Sequence, residues 1–245
     1  MHMYKFLGVK FLDGSFEEIV GSLDSGGLMV VPAAPALAMI EDNPLYYRAL
    51  KDSDFAIFDS GLLCIMLGLA KGIRAKKMSG LEFLRRFLSA ESLVDKTQVF
   101  LVNPSSKAQI LNKALFEEYG FEIGENHYTA PIYPLNKIID EKLLSMIQAK
   151  KPKYIVINLG GGVQEILGAY LKKNLDESYR PAIVCTGAAI AFLTGSQSKI
   201  PKVVDDMYLG WLARCLANPK VFVVRYISGL KLIRILLSNK VERLV

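Results

Sequence analysis

The chain has 245 residues, of which 51% are hydrophobic and 22% are charged. This composition is typical of an ordered globular protein with a sizeable core and argues against intrinsic disorder. The net charge of +6, from 30 Lys and Arg against 24 Asp and Glu, favours anionic partners without choosing between phosphates and acidic lipids.

Short apolar or β-branched runs alternate with segments of helical periodicity, the pattern of a parallel sheet covered on both faces. We predict strands at Leu28–Val31, Phe55–Phe58, Val99–Val102, Phe121–Ile123, Tyr154–Leu159 and Ala182–Cys185. We predict helices at Pro44–Lys51, Leu62–Leu69, Leu81–Leu88, Lys107–Tyr119, Lys137–Ala149, Val163–Lys173, Ala188–Leu193 and Val204–Leu216. The sequence therefore predicts a doubly wound, Rossmann-like α/β fold with a mostly parallel sheet.

Neither a repeat nor a low-complexity linker divides this pattern, so we expect residues 1–218 to form one α/β domain. A weak division near Ser92–Gln98 would separate two halves that face a cleft. Residues 219–245, here called the C-terminal appendage, are densely apolar but interrupted by basic residues.

Helical spacing in the C-terminal appendage places Lys231, Arg234, Ser238 and Glu242 on one face, opposite a wide apolar arc. A basic amphipathic helix of this kind suits an anionic membrane surface. The alternative is a terminal helix that docks on the core or on another subunit, which periodicity alone favours.

The cysteines and histidines argue against a disulfide framework or a zinc site. Cys64, Cys185 and Cys215 are odd in number and widely spaced, which indicates reduced core residues of a cytosolic protein. With His2 and His127 as the only imidazoles, we expect no metal site. The first residues lack a signal-peptide core and no apolar stretch reaches about 18 residues, so we expect an intracellular chain without membrane spans.

Ligands of open parallel sheets gather at the carboxyl ends of the strands, and three such junctions carry suitable residues. The first is Asp59-Ser60-Gly61, which follows the strand predicted at Phe55–Phe58. A carboxylate there would face the cleft and could take a proton from an attacking hydroxyl. The alternative, favoured by spacing alone, is that Asp59 caps the helix that begins near Leu62.

The second and third junctions contain small residues. The glycines of Gly160-Gly161-Gly162 permit close backbone approach, and the N–H groups of the following helix could hold a diphosphate. The run is not G-x-G-x-x-G and no P-loop occurs, which argues against dinucleotides and ATP. Gln164 and Glu165 follow it, with a solvated first helical turn as the alternative to a binding role. The third junction, Thr186-Gly187, suits either ligand contact or tight helix–sheet packing.

A basic segment, Arg74-Ala75-Lys76-Lys77-Met78-Ser79-Gly80, lies between the first two junctions. Its cations could neutralise phosphates. The alternative is a solvated loop that leads into a capping box, in which Ser79 caps the helix and Glu82 returns to it three residues later.

The order of these motifs resembles that of the WecG/TagA/CpsF glycosyltransferases over nearly the whole sequence. The most specific pieces are the Gln164-Glu165 pair, Gly210-Trp211 with Arg214, and Arg225-Tyr226. The other matching motifs are Leu7-Gly8-Val9, Asp52-Ser53-Asp54, Asp59, Lys77-Met78-Ser79-Gly80, Asn158-Leu159-Gly160, Thr186-Gly187-Ala188-Ala189, Phe192-Leu193-Thr194-Gly195, Ile200-Pro201 and Asn218-Pro219.

The resemblance implies an inverting enzyme that works without a metal or other cofactor. It would transfer a sugar of N-acetylmannosamine type, or a hexose, from a UDP-sugar to a diphosphate-linked polyprenyl lipid in cell-surface polysaccharide synthesis. By motif position, Asp59 would be the base, Gln164 would help to bind the donor, and Lys77 would lie near the phosphates. The substrate-binding set that it implies is Lys77, Ser79, Gly160, Gln164, Glu165, Thr186, Gly187, Arg214 and Arg225.

The resemblance also implies where the protein works. The expected partners are the UDP-sugar, the lipid acceptor and the inner face of the cytoplasmic membrane, where the C-terminal appendage would make contact and complete the site. Nucleic acid is not expected, and a homo-oligomer is left open.

The chain departs from the family pattern at four places. Pro32-Ala33-Ala34 stands where the family usually has Thr-x-Asn, and Asp59-Ser60-Gly61 where it has Asp-Gly. Lys77 replaces an arginine and cannot form a bidentate fork with phosphate, and Ala191 replaces an aspartate. Two hypotheses follow: an active glycosyltransferase, or a catalytically impaired relative that binds nucleotide-sugars or acts as a scaffold. A nicotinamide-dependent oxidoreductase would fit the fold class, but the chain lacks its fingerprint.

Overall fold

A computed structural model of the chain describes residues 1–38, 40–134, 137–196 and 231–244. Its strands are β1 (His2–Phe6), β2 (Val9–Asp13), β3 (Gly27–Val30), β4 (Phe55–Ile57), β5 (Val99–Asn103), β6 (His127–Thr129), β7 (Tyr154–Ile157), β8 (Ala182–Cys185) and β9 (Val241–Arg243). They form one sheet in the order β6-β5-β7-β8-β3-β4-β2-β1-β9. Strands β2 to β8 pair in parallel, whereas β1 is antiparallel to both β2 and β9.

Helices cover both faces of this sheet. They are α1 (Phe16–Leu23), α2 (Ala34–Ala38), α3 (Pro44–Asp52), α4 (Gly61–Lys71), α5 (Gly80–Ser89), α6 (Ser106–Glu118), α7 (Glu141–Lys150), α8 (Val163–Asn174), α9 (Ala189–Leu193) and the C-terminal helix (Lys231–Ser238), with a 3₁₀ turn at Ile40–Asp42. The buried side chains of α1, α5, α6 and α9 share one core, and those of α2, α3, α4, α7, α8 and the C-terminal helix share the other. The predicted doubly wound α/β fold is confirmed.

The central strands are apolar on both sides because both faces of the sheet are covered. In β7, Ile155 and Ile157 belong to one core, while Tyr154 and Val156 belong to the other. All four side chains are fully buried. A run without polar alternation is the expected sequence of a strand between two helical layers.

Strand predictions are confirmed for β3, β4, β5, β7 and β8, but the strand predicted at Phe121–Ile123 is wrong. These residues form a buried loop whose Phe121 ring stacks on Phe87 and meets Phe116 edge to face. The apolar pattern there comes from helix packing rather than from sheet pairing. The strand that pairs with β5 follows at His127–Thr129.

Seven of the eight helix predictions are confirmed with shifted ends. The helix predicted at Lys137–Ala149 begins four residues later, at Glu141, because the Asp140 carboxylate accepts the Leu143 N–H at 2.9 Å and caps it there. The helix predicted at Val204–Leu216 lies outside the described residues. Sequence patterns did not predict the β1–β2 hairpin, α1 or α2.

The described part of the C-terminal appendage packs onto the sheet. Leu232, Ile235 and Leu236 of the C-terminal helix are buried against α2 and α4. Lys231 and Arg234 are exposed, as the helical spacing predicts. Glu242 does not continue this helical face, because it lies in β9 and pairs with Lys5 of β1. The division of the chain at residue 218 stays a prediction.

The sheet consists of two halves that meet at β3 and β8. Strands β2 to β4 form one half and β5 to β8 the other, and the chain crosses between them through residues 92–98. At the meeting point, β3 leads into α2 on one face and β8 leads into α9 on the opposite face. Such a change of direction opens a crevice at the carboxyl edge, where ligands of doubly wound folds bind.

An ion cluster ties the opposite, amino-terminal edge together. The Asp54 carboxylate lies 2.7 Å from Lys172 Nζ and 2.8 Å from Arg180 Nη2, and it accepts the Leu28 N–H at 2.7 Å. Burial acts to raise the pKa of Asp54, but the hydrogen bonds from Lys172 and Leu28 outweigh it and the pKa is lowered. A lowered pKa contributes stability above the unfolded-state value of about 3.9, and this contribution is lost as the pH falls through the folded-state value.

We expect Asp54→Asn to lower the free energy of unfolding at pH 7 by about 1–3 kcal/mol, because three donors lose their charged acceptor. The deficit should shrink as the pH is lowered towards about 2, where the wild-type carboxyl also becomes protonated. Urea denaturation at both pH values measures it. Asp52→Asn is the control, because Asp52 is exposed and lies 3.8 Å from Arg48 in a weak pair. A deficit independent of pH would contradict the assignment to the charge.

Candidate active site at the carboxyl edge

Asp59 follows β4 and joins this strand to the start of α5. Its Oδ1 accepts the N–H of Gly80, the first residue of α5, at 2.9 Å. The interpretation of Asp59 as the cap of α4 is wrong, since Ser60 caps that helix and accepts the Leu63 N–H through Oγ at 3.4 Å. The half-buried carboxylate therefore lies against a helix N-terminus, where the backbone dipoles favour negative charge.

The segment before α5 is bound along the same edge. The Met78 N–H donates to the Phe58 carbonyl at 3.0 Å, and the Lys76 N–H donates to Asp13 Oδ1 at 3.1 Å. Asp13 is the last residue of β2 and is only 8% exposed. Two strand ends thus hold the backbone on either side of Lys77, so the basic segment is not a freely solvated loop.

The charges of this region converge near the Cys64 thiol. Burial raises the pKa of Cys64 to about 12, Lys77 opposes the rise, and Asp13 and Asp59 add to it. All three charged groups therefore lie close enough to one atom of α4 to act on it. A region that contains a cation and two carboxylates suits a site that must hold an anionic ligand beside a base.

Ser79 caps α5, but the capping box is only half formed. The Ser79 Oγ accepts the Glu82 N–H at 3.1 Å. The Glu82 carboxylate does not return to Ser79; it pairs with Arg85 at 2.9 Å and with Arg86 at 2.8 Å. The structure thus gives the hydroxyl of Ser79 a structural partner, and its predicted contact with substrate stays a prediction.

The glycine loop after β7 is open on its outer side. Gly160 and Gly161 are exposed, and a Cβ built on either would meet no atom within 4 Å. Gly162 has a φ of +91°, a conformation that favours glycine. Packing therefore does not account for the first two glycines, whereas close approach of a ligand to the backbone at the start of α8 would.

Gln164 and Glu165 are buried, each 1% exposed, so the alternative of a solvated helical turn is wrong. Glu165 accepts the Gly162 N–H at 2.6 Å and the Gln164 Nε2 at 2.9 Å. Gln164 Oε1 accepts the Gly187 N–H at 2.7 Å. Burial raises the pKa of Glu165, and the hydrogen bonds from Gln164 and Gly162 act against the rise. This relay fastens the loop after β7 to the loop after β8.

The two groups of predicted residues meet where α5 begins. A Cβ built on Gly80 would lie 2.9 Å from the Thr186 carbonyl oxygen and 3.4 Å from Val31 Cγ2. The N-terminus of α5 is thus in contact with the ends of β3 and β8 while it binds Asp59. The structure brings together Asp59, Lys77 and Ser79 on one side and Gly160, Gln164, Glu165, Thr186 and Gly187 on the other. Arg214 and Arg225 lie outside the described residues.

Sequence patterns missed two residues of this edge. No sequence pattern gives Asp13 a role, because the β1–β2 hairpin that places it at the end of a strand was not predicted. Asn158 lies within the apolar strand predicted at Tyr154–Leu159 and in a motif of the family resemblance, but no site role was predicted for it. A buried asparagine among isoleucines and leucines is unusual, and this was the available signal.

The relay yields a prediction based on hydrogen-bond direction. Glu165 accepts twice, so Gln164 can donate to it and still accept from Gly187. In Glu165→Gln, one of the two acceptor oxygens at position 165 becomes an NH₂ donor, so two donors must face each other somewhere between Gly162 and Gly187. We therefore expect faster hydrogen exchange of the Gly187 amide. The double variant Gln164→Glu/Glu165→Gln restores an acceptor at every donor and should slow the exchange again. NMR-detected hydrogen exchange measures both.

Equal exchange in the wild type and Glu165→Gln would contradict the relay. Failure of the double variant to recover protection would show that side-chain volume, not hydrogen-bond direction, holds the loop. Glu141→Gln serves as the control, because this exposed glutamate lies in the first turn of α7.

Comparison with known proteins identifies the family of the chain. A family model described as glycosyl transferase WecG/TagA/CpsF family matches residues 4–244. No curated protein shows a significant match to the chain. Within the described ranges, neither a cluster of three or more metal-ligating side chains nor a helix able to cross a bilayer is present. Because the match covers nearly the whole chain, the protein belongs to the WecG/TagA/CpsF family of glycosyltransferases, which act in cell-surface polysaccharide synthesis.

Proposed function

We propose that the protein is an inverting glycosyltransferase with a UDP-sugar as donor and a diphosphate-linked polyprenyl lipid as acceptor. The sugar is of N-acetylmannosamine type or a hexose. The observation that carries this proposal is the position of Asp59. Its carboxylate lies at the carboxyl edge of the sheet, bound to the N-terminus of α5, in the same charged region as Lys77.

In the proposed reaction, Asp59 takes the proton of the acceptor hydroxyl. The hydroxyl oxygen attacks the anomeric carbon on the side opposite the diphosphate. The bond between the anomeric carbon and the diphosphate oxygen breaks, and UDP leaves with the electron pair, so the configuration inverts. The hydrogen bond from Gly80 fixes the orientation of the carboxylate before the acceptor arrives, which is the geometric requirement for a general base.

The departing diphosphate needs positive charge and N–H donors. The exposed glycine loop Gly160–Gly162 leads into α8, whose N-terminus carries partial positive charge. Lys77 supplies a full charge on a half-buried side chain. Because Gln164 is buried and bound to the Gly187 N–H, its contribution to donor binding is to hold that loop in place.

We expect Asp59→Asn to reduce turnover roughly 10²–10⁴-fold, the range for loss of a general base, with little change in donor affinity. The amide oxygen can still accept the Gly80 N–H, so the start of α5 should remain in place. Turnover with a diphosphate-lipid analogue and calorimetry with UDP-sugars give the two values. Asp24→Asn is the control, since Asp24 is exposed and pairs with Lys153.

Unchanged turnover in Asp59→Asn would refute the assignment of the base. The second candidate function is the catalytically impaired relative, which the apolar residues Pro32 and Ala34 at the end of β3 favour. It predicts that the wild-type protein binds a UDP-sugar and turns over none of the donors in a panel. The same two measurements therefore separate both candidates.

We extend the proposal to the location of the enzyme, at the inner face of the cytoplasmic membrane. On the C-terminal helix, Lys231 and Arg234 are exposed together with Ile233 and Leu237. Leu69 of the neighbouring α4 is 85% exposed. Cations beside exposed apolar side chains are the combination that binds anionic lipid surfaces.

We expect Lys231→Glu/Arg234→Glu to weaken binding to vesicles of anionic phospholipid at least about tenfold, because each basic residue contributes about 1 kcal/mol near such a surface. Vesicle sedimentation measures the binding. The matched control is Lys107→Glu/Lys173→Glu, which makes the same charge change on α6 and α8. An equal loss in both variants would assign the effect to net charge and contradict the proposed surface.

A further inference from the structure

A row of polar side chains crosses the sheet near its carboxyl edge. Strand pairing sets Asn103 beside Thr129 and continues Asn158 beside Asn103, since the Asn158 N–H donates to the Val102 carbonyl at 2.9 Å. The pairing of Ile157 with Cys185 places the following residues, Asn158 and Thr186, side by side. Alternation along each strand puts this row on the face that α5, α6 and α9 cover, the face of Val156 and Val184.

Side chains of α6 supply hydrogen-bond partners to Asn103 and Thr129, but the side chains of Asn158 and Thr186 have none among the described residues. Asn103 Oδ1 accepts Nδ2 of Asn112 at 2.8 Å, and the Thr129 hydroxyl donates to Gln109. By contrast, Oδ1 and Nδ2 of Asn158 and Oγ1 of Thr186 have no partner in the described structure. Asn158 is 3% exposed and Thr186 is 4% exposed. Buried polar atoms without partners are rare, and these three are adjacent.

The three atoms match a particular ligand edge. Asn158 offers one acceptor and one donor side by side, and Thr186 offers a hydroxyl that can donate beside them. The imide edge of uracil presents a central N–H between two carbonyl oxygens. The amide can accept from that N–H and donate to one carbonyl, while the hydroxyl donates to the other. Every orphan atom then has a partner.

The distance from the candidate base also agrees with this ligand. Asp59 follows β4 on the same face as Ile57, and β7 lies three strands away in the order β4-β3-β8-β7. Three strand spacings amount to about 14 Å. In a nucleotide-sugar, a diphosphate and a ribose separate the anomeric carbon from the base. A donor whose anomeric carbon is near Asp59 can therefore extend its base to the end of β7, where Asn158 lies.

Glycines flank the buried pair on both sides. Gly187 has a φ of +68° and is followed by the exposed Ala188, and Gly160 and Gly161 border the other side. Because both side chains are almost fully buried, a planar ring reaches them by displacing these glycine-containing loops. We propose that Asn158 and Thr186 form a base-recognition subsite for the uracil of the donor. The inference rests on the proposed function and assigns residues to a part of the donor.

Apolar substitutions of similar size at Asn158 and Thr186 should affect protein stability and UDP affinity differently. Asn158→Leu and Thr186→Val remove polar atoms that have no partner in the protein, so the melting temperature of the ligand-free protein should be unchanged or higher. UDP affinity, measured by calorimetry, should fall about tenfold or more, because the base then leaves its own polar atoms unpaired. Asn103→Leu is the control, since it removes the hydrogen-bond acceptor of the buried Asn112 side chain. The melting temperature of this variant should fall, and its UDP affinity should stay within about twofold of the wild-type value.

The outcomes separate this inference from the proposed function. Lower melting temperatures for Asn158→Leu and Thr186→Val, with unchanged UDP affinity, would make the pair structural and overturn the subsite. Wild-type binding of CDP or ADP as tight as UDP would overturn recognition of uracil. Wild-type protein that binds no UDP-sugar would refute the proposed donor itself. Thr186→Val replaces a hydroxyl by a methyl group, so it keeps the test valid should the larger change at Asn158 disturb folding.

Discussion

The hydrogen bond between the Gly80 N–H and the Asp59 carboxylate is the constraint on which the carboxyl edge depends. It fixes the start of α5 to the end of β4, while Gly80 itself lies against the Thr186 carbonyl of β8. Besides the direct pairing of β3 with β8, the two halves of the sheet are therefore linked at this edge through one glycine and one carboxylate. A side chain at position 80 would force the start of α5 away from the loop after β8, because a Cβ would lie 2.9 Å from the Thr186 backbone oxygen.

Sequence patterns predicted the centre of the sheet because its strands are buried on both faces. Continuous apolar runs such as Tyr154–Ile157 have few alternatives in a chain with regular helical segments between them. The edge strands were missed because β1 and β9 are short, partly exposed and contain charged residues. Phe121–Ile123 shows the converse error, since burial between α5 and α6 creates an apolar run without any strand partner.

The position of the candidate residues at one edge of the sheet was predictable, but their contacts were not. Motif order and strand ends located Asp59, Gln164 and Gly187 correctly at one edge of the sheet. Local spacing then assigned Asp59 to the nearest helix, whereas its carboxylate accepts a donor 21 residues away. Such a bond depends on the crossover that returns α5 to the strand ends, and no local pattern encodes that. The same applies to Glu165, whose burial follows from the packing of α8 on the sheet.

The row of polar side chains formed by Thr129, Asn103, Asn158 and Thr186 differs in hydrogen bonding between its two ends. At β5 and β6, α6 supplies partners for Asn103 and Thr129, so their burial has little net cost. At β7 and β8, the covering helix α9 is short and begins with alanine, so it offers no side-chain donor or acceptor to Asn158 and Thr186. Each unsatisfied group costs about 1–3 kcal/mol, which apolar residues at these positions would avoid. Three of the four buried unsatisfied side-chain atoms in the described ranges lie beside the glycine loop, and the fourth is Oη of Tyr154 at the other end of β7. Polar atoms can recognise a ligand only if the protein does not already satisfy them, which is the condition that these three atoms meet.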